Sequence, residues 1–196
     1  MGFGRESKVV VEQTDDTNWV TREELAYNGK EQSFLVPTGS GTDFASVPRL
    51  FVWLLPRYGR YTKAAVLHDH LWRELATVGA ISWVDADATF RRAMRELGVP
   101  FLRRWLMWAA VRWAALLKPG GTKGWSQEAW RVVLLSAVAL PIVLPPAATI
   151  VASLGVFYVV EWILWVPLTI HKIGRRLLGR PTRKAVNPPT LEWKAQ

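Results

Sequence analysis

From Val132 to Ile170 the chain runs for 39 residues with Glu161 as its only charged side chain. That is nearly twice the roughly 20 apolar residues that cross a bilayer once as a helix. A transmembrane helical hairpin over residues 130–171 is the economical expectation, with its turn near Pro145-Pro146. Basic residues flank it on both sides, Lys123 and Arg131 before it and Lys172, Arg175, Arg176, Arg180, Arg183 and Lys184 after it. Such flanks fit two cytoplasmic termini, and Trp130 at one end with Trp162 and Trp165 toward the other fit interfacial belts. A single span from Ala147 to Ile170, with Val132–Leu144 lying in the interface, is the alternative, and it puts the two ends on opposite sides. A buried helical pair in a soluble protein is the third arrangement. Glu161 stands mid-leg or slightly nearer the cytoplasm, where an ionisable residue is either functional or interfacial.

Charge is divided as unevenly as hydrophobicity. Residues 1–100 hold 12 Lys/Arg against 13 Asp/Glu, whereas residues 101–196 hold 13 against 3. The net charge of +9 therefore belongs to the second half, where basic residues beside a membrane span attract anionic lipid. The bilayer accounts for the basic tail at 172–196, and no specific nucleic acid is expected as a partner. The chain has no cysteine, which excludes disulfides and thiolate metal sites and leaves the redox compartment open. Twelve tryptophans fit a large core, a membrane interface or both. Met1 to Glu6 is too polar and too short for a secretory signal.

Residues 1–118 read as an α+β domain, a small N-terminal sheet containing a β-hairpin packed on three to four helices. Lys8–Glu12 and Trp19–Thr21 have strand composition. Asn28-Gly29 lies between Glu23–Tyr27 and Lys30–Val36, and both residues accept the positive φ of a type I′ hairpin turn. Pro37–Gly41 reads as a flexible loop; no Gly-Lys-Ser/Thr follows, so it is not a phosphate-binding loop. Ser46 is placed to cap a short helix over Val47–Leu55. Thr62–Leu75 carries apolar residues at Ala64, Leu67, Leu71 and Leu75, one face of a helix. Ser82 with Asp85 opens the next helix, 83–97, as a capping box, and Gly98-Val99-Pro100 breaks it. A fourth helix, Phe101–Lys118, holds Trp105, Trp108 and Trp113 with Arg103, Arg104 and Arg112, and either completes the core or lies on a membrane. Residues 119–129 read as a linker.

Two of these helices carry polar residues on their apolar faces. His68 falls on the stripe of Ala64, Leu67 and Leu71, and Asp87 falls within the stripe of Trp83, Phe90, Met94 and Leu97. A buried carboxylate must be paired or become neutral, because leaving it unpaired costs several kcal/mol. His68 is the obvious partner for Asp87, and Asp43 in the glycine-flanked loop is a third member. The pair is either a structural hydrogen bond or part of a metal or catalytic centre. The bland readings of the neighbours are a surface i, i+4 ion pair for Asp69 with Arg73, a helix-start role for Asp85, a cap for Ser46, and exposure for His70.

At these positions the chain resembles a known family. Thr42–Arg49, the run Tyr61-Thr62-Lys63-Ala64-Ala65-Val66-Leu67-His68-Asp69, and Ala86-Asp87 with Phe90, Ala93-Met94 and Gly98-Val99-Pro100 look like the phage- and prophage-associated domain of unknown function 1353. The resemblance covers roughly residues 33–117. It implies a small α+β domain without an established activity, and matches Asp43, Ser46, His68, Asp69 and Asp87 to the family's motif positions. The family often carries a basic residue shortly before the Ala-Asp pair, where this chain has Trp83. Nothing in the resemblance implies the hydrophobic tail.

The favoured function is a membrane-anchored phage or prophage accessory protein that acts by binding at the cytoplasmic face of the inner membrane, in assembly, lysis or exclusion. Its partners would be a bilayer with anionic lipids and a phage or host protein. The alternative is a metal-assisted hydrolase in which Asp43, His68 and Asp87 hold a divalent metal and a bound water attacks, with Ser46 and Asp69 secondary. His-Asp phosphohydrolases need a further upstream histidine, and none precedes His68. A Ser46/His68/Asp87 triad lacks a nucleophile-elbow pattern around Ser46.

Overall fold

The computed structural model describes residues 2–4, 6–30, 32–44, 47, 51–179 and 187–190. Ser46, Arg49 and the basic residues Arg180, Arg183 and Lys184 lie outside the described residues. The architecture is α+β. Among the described residues, two small antiparallel sheets precede four helices, and the last helix is long and apolar.

One sheet has the order β1 (Gly2–Phe3), β4 (Leu25–Asn28), β5 (Ser33–Val36), and the other β2 (Val11–Gln13), β3 (Trp19–Thr21), β6 (Gly41–Thr42). Alternation along β4 buries Leu25 and Tyr27 and exposes Ala26 and Asn28, as a half-buried strand requires. β4 and β5 form the expected hairpin, but the pair Asn28↔Ser33 closes a four-residue loop. Gly29 instead donates its N–H to the Gln32 carbonyl and is not at positive φ, so no type I′ turn forms. The Pro37–Gly41 stretch also differs from the flexible loop expected. Buried Thr21 pins it, donating from Oγ1 to Pro37 O (2.7 Å) and accepting from Ser40 N (3.0 Å).

Helix α1 (Thr62–His70) continues into a π-helical turn, Leu71–Leu75, closed by Ala76 N–H donating to Leu71 O. Leu71 and Trp72 in this turn are both buried, Trp72 at i+4 from His68. Helix α2 (Trp83–Glu96) begins as expected, with Ser82 Oγ accepting from Asp85 N at 3.0 Å. Its buried face, Ala86, Asp87, Phe90, Ala93 and Met94, meets α1 and helix α3 (Phe101–Ala115). The core joins Leu25, Tyr27 and Val36 from the hairpin to Leu67, Leu71, Phe90 and Met94 from the helices.

The expected linker is a chain of tight turns. Gly120 and Gly124 take left-handed φ (82° and 71°). A Cβ at Gly121 would meet Ala115 O at 2.3 Å. The turns return the chain onto α3 and start α4 (Trp125–Leu177, 53 residues). Val132 is fully buried, Trp125 Nε1 donates to Arg112 O (2.9 Å), and Trp113 Nε1 donates to Ser136 Oγ (2.9 Å).

The hairpin expected at Pro145-Pro146 does not form, because α4 runs unbroken through Pro141, Pro145, Pro146 and Pro167. Proline keeps a φ compatible with the helix, although each interior proline removes one donor and crowds the carbonyl four residues back. Leu144-Pro145-Pro146-Ala147 offers no glycine, asparagine or aspartate to reverse the chain.

Candidate functional site

Asp87 is the centre of a buried ionic chain. Its Oδ1 accepts from His68 Nε2 (2.7 Å) and from Trp72 Nε1 (2.7 Å), and its Oδ2 accepts from Arg112 Nη1 (2.9 Å). The side chains of Asp87 and Arg112 are both wholly buried, and that of His68 is 12% exposed. Arg112 Nε lies 3.5 Å from Glu128 Oε2, and Arg131 Nη1 lies 3.8 Å from the other Glu128 oxygen. Burial pushes the Asp87 carboxyl upward, but the hydrogen bonds and charges of His68, with Arg112 and Trp72, outweigh it and hold the group below the ordinary carboxylate range. Asp87 is thus an anion saturated by donors from α1, the π turn and α3.

Asp69 turns away from this cluster. Its Oδ2 accepts from Thr42 Oγ1 (2.5 Å) and from Asp43 N (3.3 Å). Asp43 in turn accepts from Arg73 Nη2 at 2.8 Å. Burial and the Asp43 charge push the Asp69 carboxyl up to about 7, against the Thr42 hydrogen bond and the charges of Arg73 and His68. The next residue, Phe44, takes a left-handed φ of 57° while its ring is buried against Trp19 and Tyr58. A bulky residue there is strained, and the strain sits beside the carboxylate pair.

The expectations divide accordingly. His68 and Asp87 meet as anticipated. Arg73 pairs with Asp43, not with Asp69, and Asp69 is buried instead of lying in a surface ion pair. His70 is buried too, with Nδ1 3.1 Å from Glu74 and 3.4 Å from Ser40 Oγ. The π turn and β6 cover the side that an isolated helix would expose. Asp85 is the helix-start residue it was expected to be. Among the described residues, no three His, Asp or Glu side chains gather as a metal-ligand set. The divalent metal expected at Asp43, His68 and Asp87 meets a physical obstacle as well, because both Asp87 oxygens already accept protein donors and one donor is a guanidinium.

Sequence reasoning missed Arg112, Trp72, Thr42 and Glu128. A signal for Arg112 existed. It stands at i+4 from Trp108 on the buried face of α3, so two opposite charges occupied two core-facing stripes and each was the other's solution. Trp72 had a signal too, since it stands at i+4 from His68 on the same helical face.

Fold and site together define an α+β domain built around a buried His–Asp–Arg cluster and continued into one long apolar helix. Residues 19–111, a little under half of the chain, match the family model described as Protein of unknown function (DUF1353), and this part of the chain is similar to that family. Arg112 and all of α4 lie beyond the matched residues. No curated protein and no solved structure matches the chain.

Proposed function

We propose that the chain is a membrane-anchored accessory protein that acts by binding, with its α+β domain presented at a bilayer surface by α4. One observation supports this most. α4 is apolar all round, and its most apolar 18-residue stretch has no buried residue, yet its first turns are tied into the domain by Val132, Trp125 and Glu128. A helix that is apolar on every face needs a protein core or a membrane around it. Residues 147–170 rise about 36 Å as a helix, enough for a hydrocarbon core of about 30 Å. Residues 132–146 continue the same unbroken helix between that stretch and the docked turns. The family resemblance implies a phage or prophage setting, while the apolar helix and its basic flanks carry the reading that the bilayer is the cell's inner membrane and that the domain meets a phage or host protein there.

Two measurements test the anchor. The full-length chain is expected to stay in the membrane pellet through alkaline carbonate washing, and release into the supernatant would refute insertion. An unbroken helix that crosses once separates its ends, so topology reporters fused at Met1 and Gln196 are expected to give opposite compartments. Two cytoplasmic reports would mean that the helix folds back in the bilayer.

A metal-assisted hydrolase at Asp43, His68 and Asp87 is the second reading, favoured by the Asp69 carboxyl near 7 beside Asp43, since perturbed carboxyls cluster at functional sites. Elemental analysis of the purified full-length protein after incubation with manganese or zinc separates the two. The binding reading expects far less than one metal per chain. A stoichiometric metal that disappears in Asp43→Asn would move the assignment to the hydrolase.

A further inference from the structure

We propose that the first turn of α3 is a lipid-binding foot, seating the domain on the anionic headgroups of the bilayer that α4 enters; this rests on the membrane reading above. Phe101 and Leu102 are 64% and 45% exposed, although they begin a helix whose other face is core. Arg103 and Arg104 follow them directly. The Arg104 guanidinium lies 5.0 Å from the Phe101 ring centroid, and Phe101 lies 6.0 Å from Trp105. Apolar side chains that dip past the headgroups beside arginines that meet them make the pattern of an interfacial helix.

The position of this turn relative to α4 selects lipid as the occupant. Arg112 pairs with Glu128, while Trp108 and Ala109, further back on α3, cluster with Val132, further along α4, with Trp105, Trp125 and Leu135 packed around them. Moving back along α3 therefore means moving forward along α4, and the two helices run antiparallel. Phe101 and Leu102 lie about two further turns beyond Trp108 and Ala109 along that direction, toward the level at which α4 leaves the domain. Val132 is the last fully buried residue of α4, and the half-buried Leu135 and Ser136 one turn on still pack against α3. Trp130, 63% exposed and 5.1 Å from the Arg131 guanidinium, adds an aromatic and a cation near the same exit. Charge agrees, because no acidic residue occurs from Leu97 to Gln127 while Arg103, Arg104, Arg112, Lys118 and Lys123 do. An anionic surface fits this stretch.

The chain has no cysteine, so single-cysteine variants of the full-length protein each report one place. Leu102→Cys, Val159→Cys and Val78→Cys would carry an environment-sensitive fluorophore in phosphatidylcholine vesicles with or without phosphatidylglycerol. Nitroxide lipids quench at shallow or deep positions. Val78 is a control, 78% exposed between the π turn and α2. In anionic vesicles the label at 102 is expected to be quenched by shallow nitroxide about twofold or more above the label at 78. Neutral vesicles, or Arg103→Gln with Arg104→Gln, are expected to remove at least half of that excess. The label at 159 reports the anchor through deep nitroxide. If 159 is quenched and 102 matches 78, the foot is refuted and the anchor stands. If 102 is quenched and 159 is not, the foot stands and the spanning helix falls. Quenching at neither position overturns both, and excess quenching at 102 that ignores lipid charge and both arginine changes overturns the headgroup pairing.

Discussion

Asp87→Ala is expected to cost the domain about 3–5 kcal/mol, the usual penalty for stranding a buried charge. The loss is large because three donors converge on one carboxylate: His68 Nε2, Trp72 Nε1 and Arg112 Nη1. Arg112 is wholly buried, so it has no water to turn to, and Glu128 at 3.5 Å is its remaining counter-charge. Against a typical stability of about 5–15 kcal/mol, the variant loses much of its folded population. Its melting temperature in detergent, followed by near-ultraviolet circular dichroism, is expected to fall by roughly 10 °C.

The double variant Asp87→Asn with Arg112→Met removes both charges and keeps an acceptor oxygen for His68 and Trp72. It is expected to recover more than half of the loss, the non-additivity of a coupled pair. A cost under about 1 kcal/mol for Asp87→Ala would mean that the three donors do not depend on this carboxylate. The pH dependence has a definite sign. The folded-state value of Asp87 is depressed, so its contribution is present above about pH 3.9 and is lost as pH falls through the folded value.

Asp69→Asn is expected to act in the opposite sense and to stabilise the domain at neutral and higher pH. The Asp69 carboxyl titrates at about 7 in the fold, against about 3.9 unfolded. A raised value means that Asp69 favours the fold most below about pH 3.9. That advantage is lost as pH rises toward 7, by up to about 4 kcal/mol, after which the curve is flat.

Asparagine copies the neutral acid and keeps an oxygen for Thr42 Oγ1 and Asp43 N, the two donors that meet Asp69 Oδ2. The variant should therefore melt several degrees higher at pH 8, match the parent near pH 4, and show a flatter profile between the two. A lower melting temperature at pH 8 would show that the ionised carboxylate is what the Thr42–Asp43 turn requires. The test also bears on function, because a group kept costly at neutral pH has a reason other than stability to be there.

Much of this protein was determined by the sequence alone, wherever the determinant was local or periodic. The apolar run to Ile170, the β4–β5 hairpin, the Ser82–Asp85 cap and the pairing of His68 with Asp87 all follow from spacing and from the cost of a buried unpaired carboxylate. Residue pattern also placed Asp43 and Asp69 among the candidates, but not their partners. Those were decided by tertiary structure. Asp69 is buried because β6 lays Thr42 over it, and Arg73 is drawn to Asp43 across 30 positions of sequence.

The course of the chain after Lys118 was decided in the same way. Glycines that read as a linker make a tight return, and prolines that read as a turn are absorbed by a continuous helix. At the glycines the packing of α4 on α3 chose between two conformations, whereas the prolines lie where α4 has no buried residue, and the helix continues there without a reversing residue. Asp87 and Arg112 show the reason most plainly. Each charge is expensive to bury alone, and only the packing of α2 against α3 brings the two within 2.9 Å.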